Sequence, residues 1–310
     1  MWADKRVSVV LMTYAERDSI RGVIEDFFAT GVVDEVVVIN NNAQEGTEAE
    51  VAATRARQVL EPRQGYGFAT RRGLAEATGD LIVLAEPDGS FLADDILKLL
   101  AYASDFDAVL GSRTFPQLIW HGANMGWPLK WGNWAVAQLV RVLFRTSHLS
   151  DVGCTYKAFS RETVDAVLPL LTIGGSQLGP ELMIRTIQSG ARYVEIPVNY
   201  LPRVGTSSVT GDMGKAIVLG LQMIALILRM RLATLGRGRT RCPFRPAKRT
   251  SLHLVERRRA PAILAIMGVA VAADLRELTR LTVVDLPADA VSLGTGLPDS
   301  RAYKLVECVS

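Results

Sequence analysis

The chain is poor in the residues that the commonest metal and nucleophile chemistries use. Its three histidines, His121, His148 and His253, have no metal-ligand spacing, and there is no GxSxG segment. Zinc sites and triad hydrolases built on those patterns are therefore excluded. The three cysteines, Cys154, Cys242 and Cys308, are far apart and odd in number. They make no disulfide framework and imply reduced thiols in a cytoplasmic setting. No GxxxxGK[ST] loop is present, which argues against ATP hydrolysis of that type, and Gly65-Tyr66-Gly67 lacks the third glycine and the strand context of a dinucleotide fingerprint. Met1 to Met12 enters a strand pattern at once, with no signal-peptide pattern before it. Long apolar runs are missing too: Ala216 to Leu228 is thirteen residues including Gln222, and Ala260 to Ala273 is fourteen. Both are short for membrane spans and suit a membrane surface or a core. There is no internal repeat.

What is present is a chain of 310 residues, 49% apolar, long enough for one large domain and an appendage. Its net charge of +3 is unevenly spread, since Arg229 to Arg259 holds eleven Lys or Arg against the single acid Glu256. Beside an apolar helix, such a run fits an anionic membrane surface; nucleic acid is the generic competitor and a solvated basic tail the plain alternative. Residues 1–235 carry regular periodicity and 236–310 do not, so the expectation is one domain over 1–235 followed by a basic, partly disordered extension with one helix near Ala262 to Leu281.

Strand and helix patterns alternate. Strands are predicted at Val7–Met12, Glu35–Ile39, Gln58–Leu60, Leu81–Ala85, Ala108–Gly111, Val152–Ser160 and Tyr193–Tyr200, the last at an edge because of Pro197. Helices are predicted at Glu16–Thr30, from Glu48 to about Arg57, from Gln64 to Ala77, and over Asp94–Ala103, Arg161–Leu171, Pro180–Ser189 and Met213–Leu232. This is a parallel α/β pattern with short crossovers. Between Phe115 and Phe144 lie four of the five tryptophans, Trp120, Trp127, Trp131 and Trp134, with Lys130 and Arg141 among them. Aromatics beside cations suit a membrane interface, and core packing explains such clusters equally well.

The focal stretch is Leu81 to Phe91, LIVLAEPDGSF. A buried parallel strand delivers chemistry at its carboxyl end, and here that end carries Glu86-Pro87-Asp88-Gly89. Two carboxylates two residues apart point the same way on extended chain and offer hard oxygen donors to Mg2+ or Mn2+. The plain alternative is a polar turn.

Every strand is followed by a polar loop of this kind. Met12-Thr13-Tyr14-Ala15-Glu16-Arg17, the loop Asn40 to Thr47, Gln64-Gly65-Tyr66-Gly67, Glu86-Pro87-Asp88, Gly111-Ser112-Arg113, Asp151 to Arg161 and Arg203 to Ser208 follow in order. Together they resemble the family-2 glycosyltransferases of the GT-A fold, in particular the branch acting on polyprenyl and dolichyl phosphates, over about Arg6 to Met230. The resemblance implies an α/β GT-A fold with a mostly parallel sheet and an inverting hexose transfer from a nucleotide-diphosphate sugar donor. Tyr14, Glu16, Asn40, Asn41, Gln64 and Gly65 would then border the nucleotide, and Glu86 and Asp88 would hold Mg2+ or Mn2+ with the diphosphate. Arg113 and Arg203 would meet phosphates.

Four departures stand out: Asn40 and Asn41 replace acids, Glu86 replaces the first Asp of DxD, the loop after Arg203 is a residue shorter, and Ser208 stands where lysine is usual. Lys215, from the following helix, is the candidate substitute for that lysine. A lipid-phosphate acceptor is ionised at neutral pH and needs no strong base; a hydroxyl acceptor needs one, with Asp151 as first candidate and Glu181 as second. The expected acceptor is a polyprenyl phosphate, reached peripherally at the cytoplasmic face of the plasma membrane. A soluble transferase with a hydroxyl acceptor and an inactive nucleotide-sugar-binding protein are the alternatives.

Overall fold

A computed structural model describes residues 1–123, 126–205 and 213–235. The extension 236–310, the Thr206-Ser207-Ser208 part of the phosphate loop and the side chain of Lys215 lie outside the described residues.

The elements run β1 (Val7–Thr13), α1 (Arg17–Ala29), β2 (Glu35–Asn40), α2 (Thr47–Ala52), β3 (Arg57–Leu60), α3 (Tyr66–Glu76), β4 (Leu81–Ala85), α4 (Ile96–Tyr102), β5 (Ala108–Ser112), α5 (Trp127–Phe144), β6 (Lys157–Ser160), α6 (Arg161–Val167), α7 (Leu178–Gln188), β7 (Tyr193–Pro197) and α8 (Met213–Leu235). The strands form one seven-stranded sheet in the order β3-β2-β1-β4-β6-β5-β7. All pairings are parallel except those of β6, which runs antiparallel to both β4 and β5. This reversal matters for the site. Because β6 begins where its neighbours end, the segment leading into it arrives at the same sheet edge as the loops after β4 and β5.

The inner strands β1, β2, β4 and β5 are buried on both faces, as near-continuous apolar runs require, while the edge strands β3 and β7 are partly exposed. Val7, Val9, Leu11, Val36, Val38 and Val83 pack with Ile20, Ile24 and Phe27 of α1 and Leu99 of α4 on one side. Val10, Val37, Ile39, Ile82, Leu84, Leu110 and Phe159 pack on the other side with α3, α5, α6, α7 and the inner residues Ile227 and Met230 of α8.

Four predicted boundaries move, each for a local reason. The helix expected to reach Arg57 stops at Ala52, where the Thr54 hydroxyl donates to Val51 O and accepts from Ala56 N; such local bonds compete with the helix ladder. The strand expected over 152–160 starts only at Lys157, because Gly153 N and Cys154 N donate to the Asp151 carboxylate instead of a ladder. The helix expected to reach Leu171 ends at Val167 and tightens into a 3-10 turn over Leu168–Leu170 around Pro169. Strand β7 ends at Pro197 on the sheet edge, and Asn199 N turns to the Asp95 carboxylate at 2.6 Å.

The tryptophan-rich segment contains a helix, α5, in which Trp131 and Trp134 meet edge to face and stay half exposed. Helix α8 is longer than the apolar run inside it. Its stretch Ile217–Thr234 is, by length and composition, apolar enough to cross a membrane, and little of it is buried.

Candidate active site

The carboxyl ends of β1, β2, β4 and β5 and the start of β6 open into one cavity of about 870 Å3. Its polar lining comes from the strand loops and includes Tyr14, Asn41, Gln64, Glu86, Asp88 and Arg113. Much of its apolar lining, including Val136, Leu178, Leu182, Met223 and Ile224, comes from α5, α7 and α8.

The turn after β4 supplies the acids. Gly89 has φ +75, a left-handed conformation that favours glycine, and it turns the chain straight after Asp88. Asp88 is buried; its Oδ1 accepts from Ser90 N at 2.9 Å. Its Oδ2 lies 2.9 Å from an Arg203 Nη2 yet has no aligned hydrogen-bond partner among the described residues, and Arg203 Nε has none either. Val204 N donates to Asp88 O and Leu201 N to Ser90 O, so the arm carrying Arg203 is stitched directly to this turn. Glu86 also lines the cavity. Burial and then the nearby Asp88 charge push its carboxyl up to about 7, against the opposing pull of Arg113, Arg203 and the Thr155 hydroxyl.

The turn after β5 supplies Arg113, whose planar fork is held from one side. Its Nε donates to Asp151 Oδ2 at 2.8 Å and its Nη2 to Oδ1 at 3.0 Å, and its backbone N–H adds a third bond to Oδ2 at 3.0 Å. Gly153 N and Cys154 N donate to Oδ1 at 3.0 and 3.1 Å. The guanidinium also lies over the Tyr200 ring, 5.1 Å from its centre. Asp151 is fully buried and does not line the cavity. Burial raises its carboxyl, but the Arg113 charge and hydrogen bonds outweigh that and leave it below its ordinary value. A carboxylate with five donors and a depressed pKa makes a poor proton acceptor, and Asp151, the expected base, is here engaged with Arg113.

Glu181, the second candidate base, is also committed to hydrogen bonds. It is buried in the first turn of α7 and outside the cavity lining, and its carboxylate accepts from Thr172 N, the Thr172 hydroxyl and Ile173 N. It holds the 171–174 turn. That turn presents Gly174 O to Gly67 N and Phe68 N at the start of α3. Gly65 has φ +146, and a Cβ there would fall 2.3 Å from Gly174 O. Gly65 is thus a packing glycine, and Gln64 beside it is the residue that reaches the cavity.

Glu16 lines the cavity rim, but its Oε2 accepts from Tyr14 N at 2.7 Å and Ala15 N at 2.8 Å. This presents the Tyr14 side chain, 51% exposed, at the mouth. Asn41 donates to Glu61 O and Arg63 O and accepts from Gly65 N, each at 2.8 Å. Asn40 does not line the cavity; it donates to Glu48 and accepts from Ala43 N, shaping the loop from behind.

The family's sequence profile, glycosyl transferase family 2, matches residues 8–168. An uncharacterized glycosyltransferase of Mycobacterium tuberculosis is 30% identical over 220 residues, covering 70% of this chain and 95% of the relative. The chain belongs to glycosyl transferase family 2. The undecaprenyl-phosphate mannosyltransferase of Micrococcus luteus is 28% identical over 228 residues, covering 69% of this chain and 91% of that one. Among solved structures, glucosyl-3-phosphoglycerate synthase from Mycobacterium tuberculosis, in complex with Mn2+, UDP and phosphoglyceric acid, superposes with a TM-score of 0.57 at 20% identity, over 74% of this chain and 79% of that one. The fold is therefore GT-A, and the chain is a glycosyltransferase that uses a nucleotide sugar.

A divalent ion fits this family-2 site on its own chemistry. Among the described residues Asp88 Oδ2 is buried and has no hydrogen-bond partner, Glu86 shares the cavity, and Arg203 Nε beside them has no acceptor. No cluster of three or more His, Cys, Asp or Glu occurs among the described residues, so further oxygens would have to come from a ligand such as a diphosphate. Asn133 and Tyr200 in the lining were not among the residues expected there, and Lys157 entered only within the segment Asp151 to Arg161. Lys157 had a readable signal: a lysine between Tyr156, Ala158 and Phe159 is a charge inside a buried strand.

Proposed function

We propose that this family-2 enzyme transfers a hexose, with inversion, from a nucleotide-diphosphate sugar to a polyprenyl phosphate at the cytoplasmic face of an anionic membrane. The observation that carries the reading is the absence of a spare base among the described residues that line the cavity. Its acids are Glu16, Glu86 and Asp88; Glu16 is bonded to backbone N–H groups, and the other two would be taken up by the metal. An acceptor that arrives ionised, as a phosphate does, needs no base.

Glu86 and Asp88 would hold Mg2+ or Mn2+, which supplies charge neutralisation at the leaving diphosphate. Arg203 exchanges its contact with Asp88 for a phosphate oxygen, and Arg113, fixed by Asp151, presents its remaining guanidinium edge to a second one. Tyr14, Asn41 and Gln64 border the nucleotide. The walls from α5, α7 and α8 exclude water and suit a hydrocarbon chain. Outside the cavity, Val218, Leu228 and Leu232 of α8 are exposed and suit the bilayer surface. The similarity to the undecaprenyl-phosphate mannosyltransferase of Micrococcus supports a polyprenyl-phosphate acceptor. The mycobacterial synthase, solved with Mn2+ and phosphoglyceric acid, supports Mn2+ and also the alternative of a soluble phosphorylated acceptor.

The test is a transfer assay with labelled GDP-mannose and UDP-glucose in Mg2+ or Mn2+, offering undecaprenyl phosphate in anionic vesicles or soluble 3-phosphoglycerate. Label in the lipid fraction, lost in Asp88→Ala, supports the proposal. Label on 3-phosphoglycerate alone replaces the lipid by a soluble acceptor, and no transfer with either, despite donor binding, leaves a nucleotide-sugar-binding protein.

A further inference from the structure

We propose that Asn133 and Thr155 form the subsite that reads the hydroxyls of the transferred sugar. The inference rests on the reading that the donor's diphosphate sits at Glu86 and Asp88, and it is independent of the acceptor. Asn133 of α5 lies over the segment that leads into β6. A Cβ on Gly153 would fall 2.7 Å from Asn133 Oδ1 and 2.9 Å from Arg113 Nη2, so the amide and the guanidinium converge over bare backbone. Thr155 follows two residues later, and it lines the same cavity as Asn133. Its hydroxyl is close enough to Glu86 to pull that carboxyl downward, which places it beside the proposed metal acids. Even so, Thr155 Oγ1 is buried and has no aligned hydrogen-bond partner among the described residues.

Local structure does not account for Asn133. Of the described residues that α5, α7 and α8 bring to the lining, it is the one with a polar side chain; its neighbours there are Gly132, Ala135 and Val136. Asparagine is also a weaker helix former than alanine or leucine. Unlike Gln138 on the same helix, which donates to Leu149 O, Asn133 has no hydrogen bond among the described residues. A half-buried amide in an apolar wall is unfavourable until a ligand completes it. The chemistry of the pair says which ligand. A phosphate only accepts, and Arg113, Lys157 and Arg203 already bring charged donors to the cavity. A sugar hydroxyl both donates and accepts, as do an amide and a threonine hydroxyl, and none of them carries charge. Position agrees with chemistry. The sugar is bonded to the diphosphate, so a diphosphate at Glu86 and Asp88 sets the sugar against Thr155, with Asn133 beyond it beside Arg113, whose charge also bears on Glu86.

The experiment compares wild type with Asn133→Leu and Thr155→Val, which remove the polar group at near-constant size, and with Thr155→Ser, which keeps the hydroxyl. Titration calorimetry with Mn2+ measures the affinity for the free nucleoside diphosphate, for the nucleotide sugar that wild type prefers among GDP-mannose and UDP-glucose, and for its monodeoxy analogues. Initial rates give kcat/KM for the same donors and KM for the acceptor. The Leu and Val variants should bind the nucleoside diphosphate as wild type does and lose roughly three- to tenfold in donor kcat/KM, the loss of one neutral hydrogen bond. Each should also stop discriminating against one monodeoxy analogue that wild type rejects, and Thr155→Ser should stay near wild type. Donor kcat/KM and discrimination equal to wild type in both variants overturn the subsite. So does a raised acceptor KM with unchanged donor parameters, which moves the pair to the acceptor, and so does an equal loss for nucleoside diphosphate and nucleotide sugar, which marks a structural role. Asp88→Ala separates the two readings. Nucleoside diphosphate binding that survives it overturns the diphosphate placement and the subsite with it, whereas binding lost there, with Asn133 and Thr155 variants like wild type, overturns the subsite alone.

Discussion

Replacing Asp151 by Asn separates a positioning carboxylate from a catalytic base. The substitution keeps shape and removes charge. In wild type Oδ1 receives Arg113 Nη2, Gly153 N and Cys154 N, and Oδ2 receives Arg113 N and Nε. An asparagine NH2 placed at Oδ1 faces three donors, and placed at Oδ2 it faces two, so neither orientation satisfies the site. Arg113, only 11% exposed, also loses its counter-charge. Breaking a buried pair from one side costs about 3–5 kcal/mol. At about 2–4 °C per kcal/mol for a domain of this size, the thermal midpoint should fall by roughly 6–20 °C. Donor and acceptor binding should weaken together, because Arg113 is released. The double variant Asp151→Asn/Arg113→Met should be more stable than Asp151→Asn alone, since no unpaired charge remains. The pH dependence has a defined sign. The Asp151 pKa is depressed in the folded chain, so its stabilisation is complete above the ordinary value of 3.8 and is lost as pH falls through the lower folded value. The stability gap between wild type and variant should therefore close in acid. Chemical denaturation across pH, with calorimetric donor binding, checks each point. An Asp151→Asn protein as stable as wild type, with normal substrate binding but no turnover, would refute the positioning argument and restore Asp151 as a base.

Two further variants test the surroundings. Glu181→Gln should cost about 1–3 kcal/mol in urea denaturation, because its amide would face the Thr172 and Ile173 N–H groups, while acceptor and donor KM hold; a stable variant with lost turnover would mark a catalytic role. Leu228→Asp/Leu232→Asp changes exposed side chains of α8 outside the cavity lining. It should leave the thermal midpoint and donor affinity within error and reduce flotation with anionic vesicles at low salt. Unchanged flotation would remove α8 from the membrane contact.

The sheet was legible because its strands are apolar runs ending in turn residues, a pattern that length and punctuation define. Glu86, Asp88, Arg113 and Arg203 were legible for the same reason: they follow strand ends, and all four line the cavity. What local pattern could not reveal was direction. Nothing in KAFS says that β6 runs against its neighbours, yet that reversal brings residues 151–157 to the rim where β4 and β5 finish. Asp151 and Glu181 misled for a related reason. A carboxylate's chemistry depends on how many donors reach it, and those donors come from residues such as Arg113 and Thr172 that only the fold brings near.

The two asparagines after β2 show how the same logic bears on activity. Against the acidic pattern of the family they read as lost function, and an inactive binding protein follows naturally from that view. The structure gives them another reason. Asn41 Nδ2 donates to two backbone carbonyls, Glu61 O and Arg63 O, while its Oδ1 accepts from Gly65 N. A carboxylate could take the last bond but could make neither of the first two, and it would set a charge against two carbonyl oxygens. Asn40 likewise donates to Glu48 and accepts from Ala43 N. The substitutions are therefore matched to this chain's own loop, which they lock between β3 and α3. Asn41 still reaches the cavity, where Gln64 stands beside it. Under the proposed function, Asn41 would offer hydrogen bonds without charge beside the nucleotide, while Glu86 and Asp88 keep the charge that a cation at the diphosphate would need.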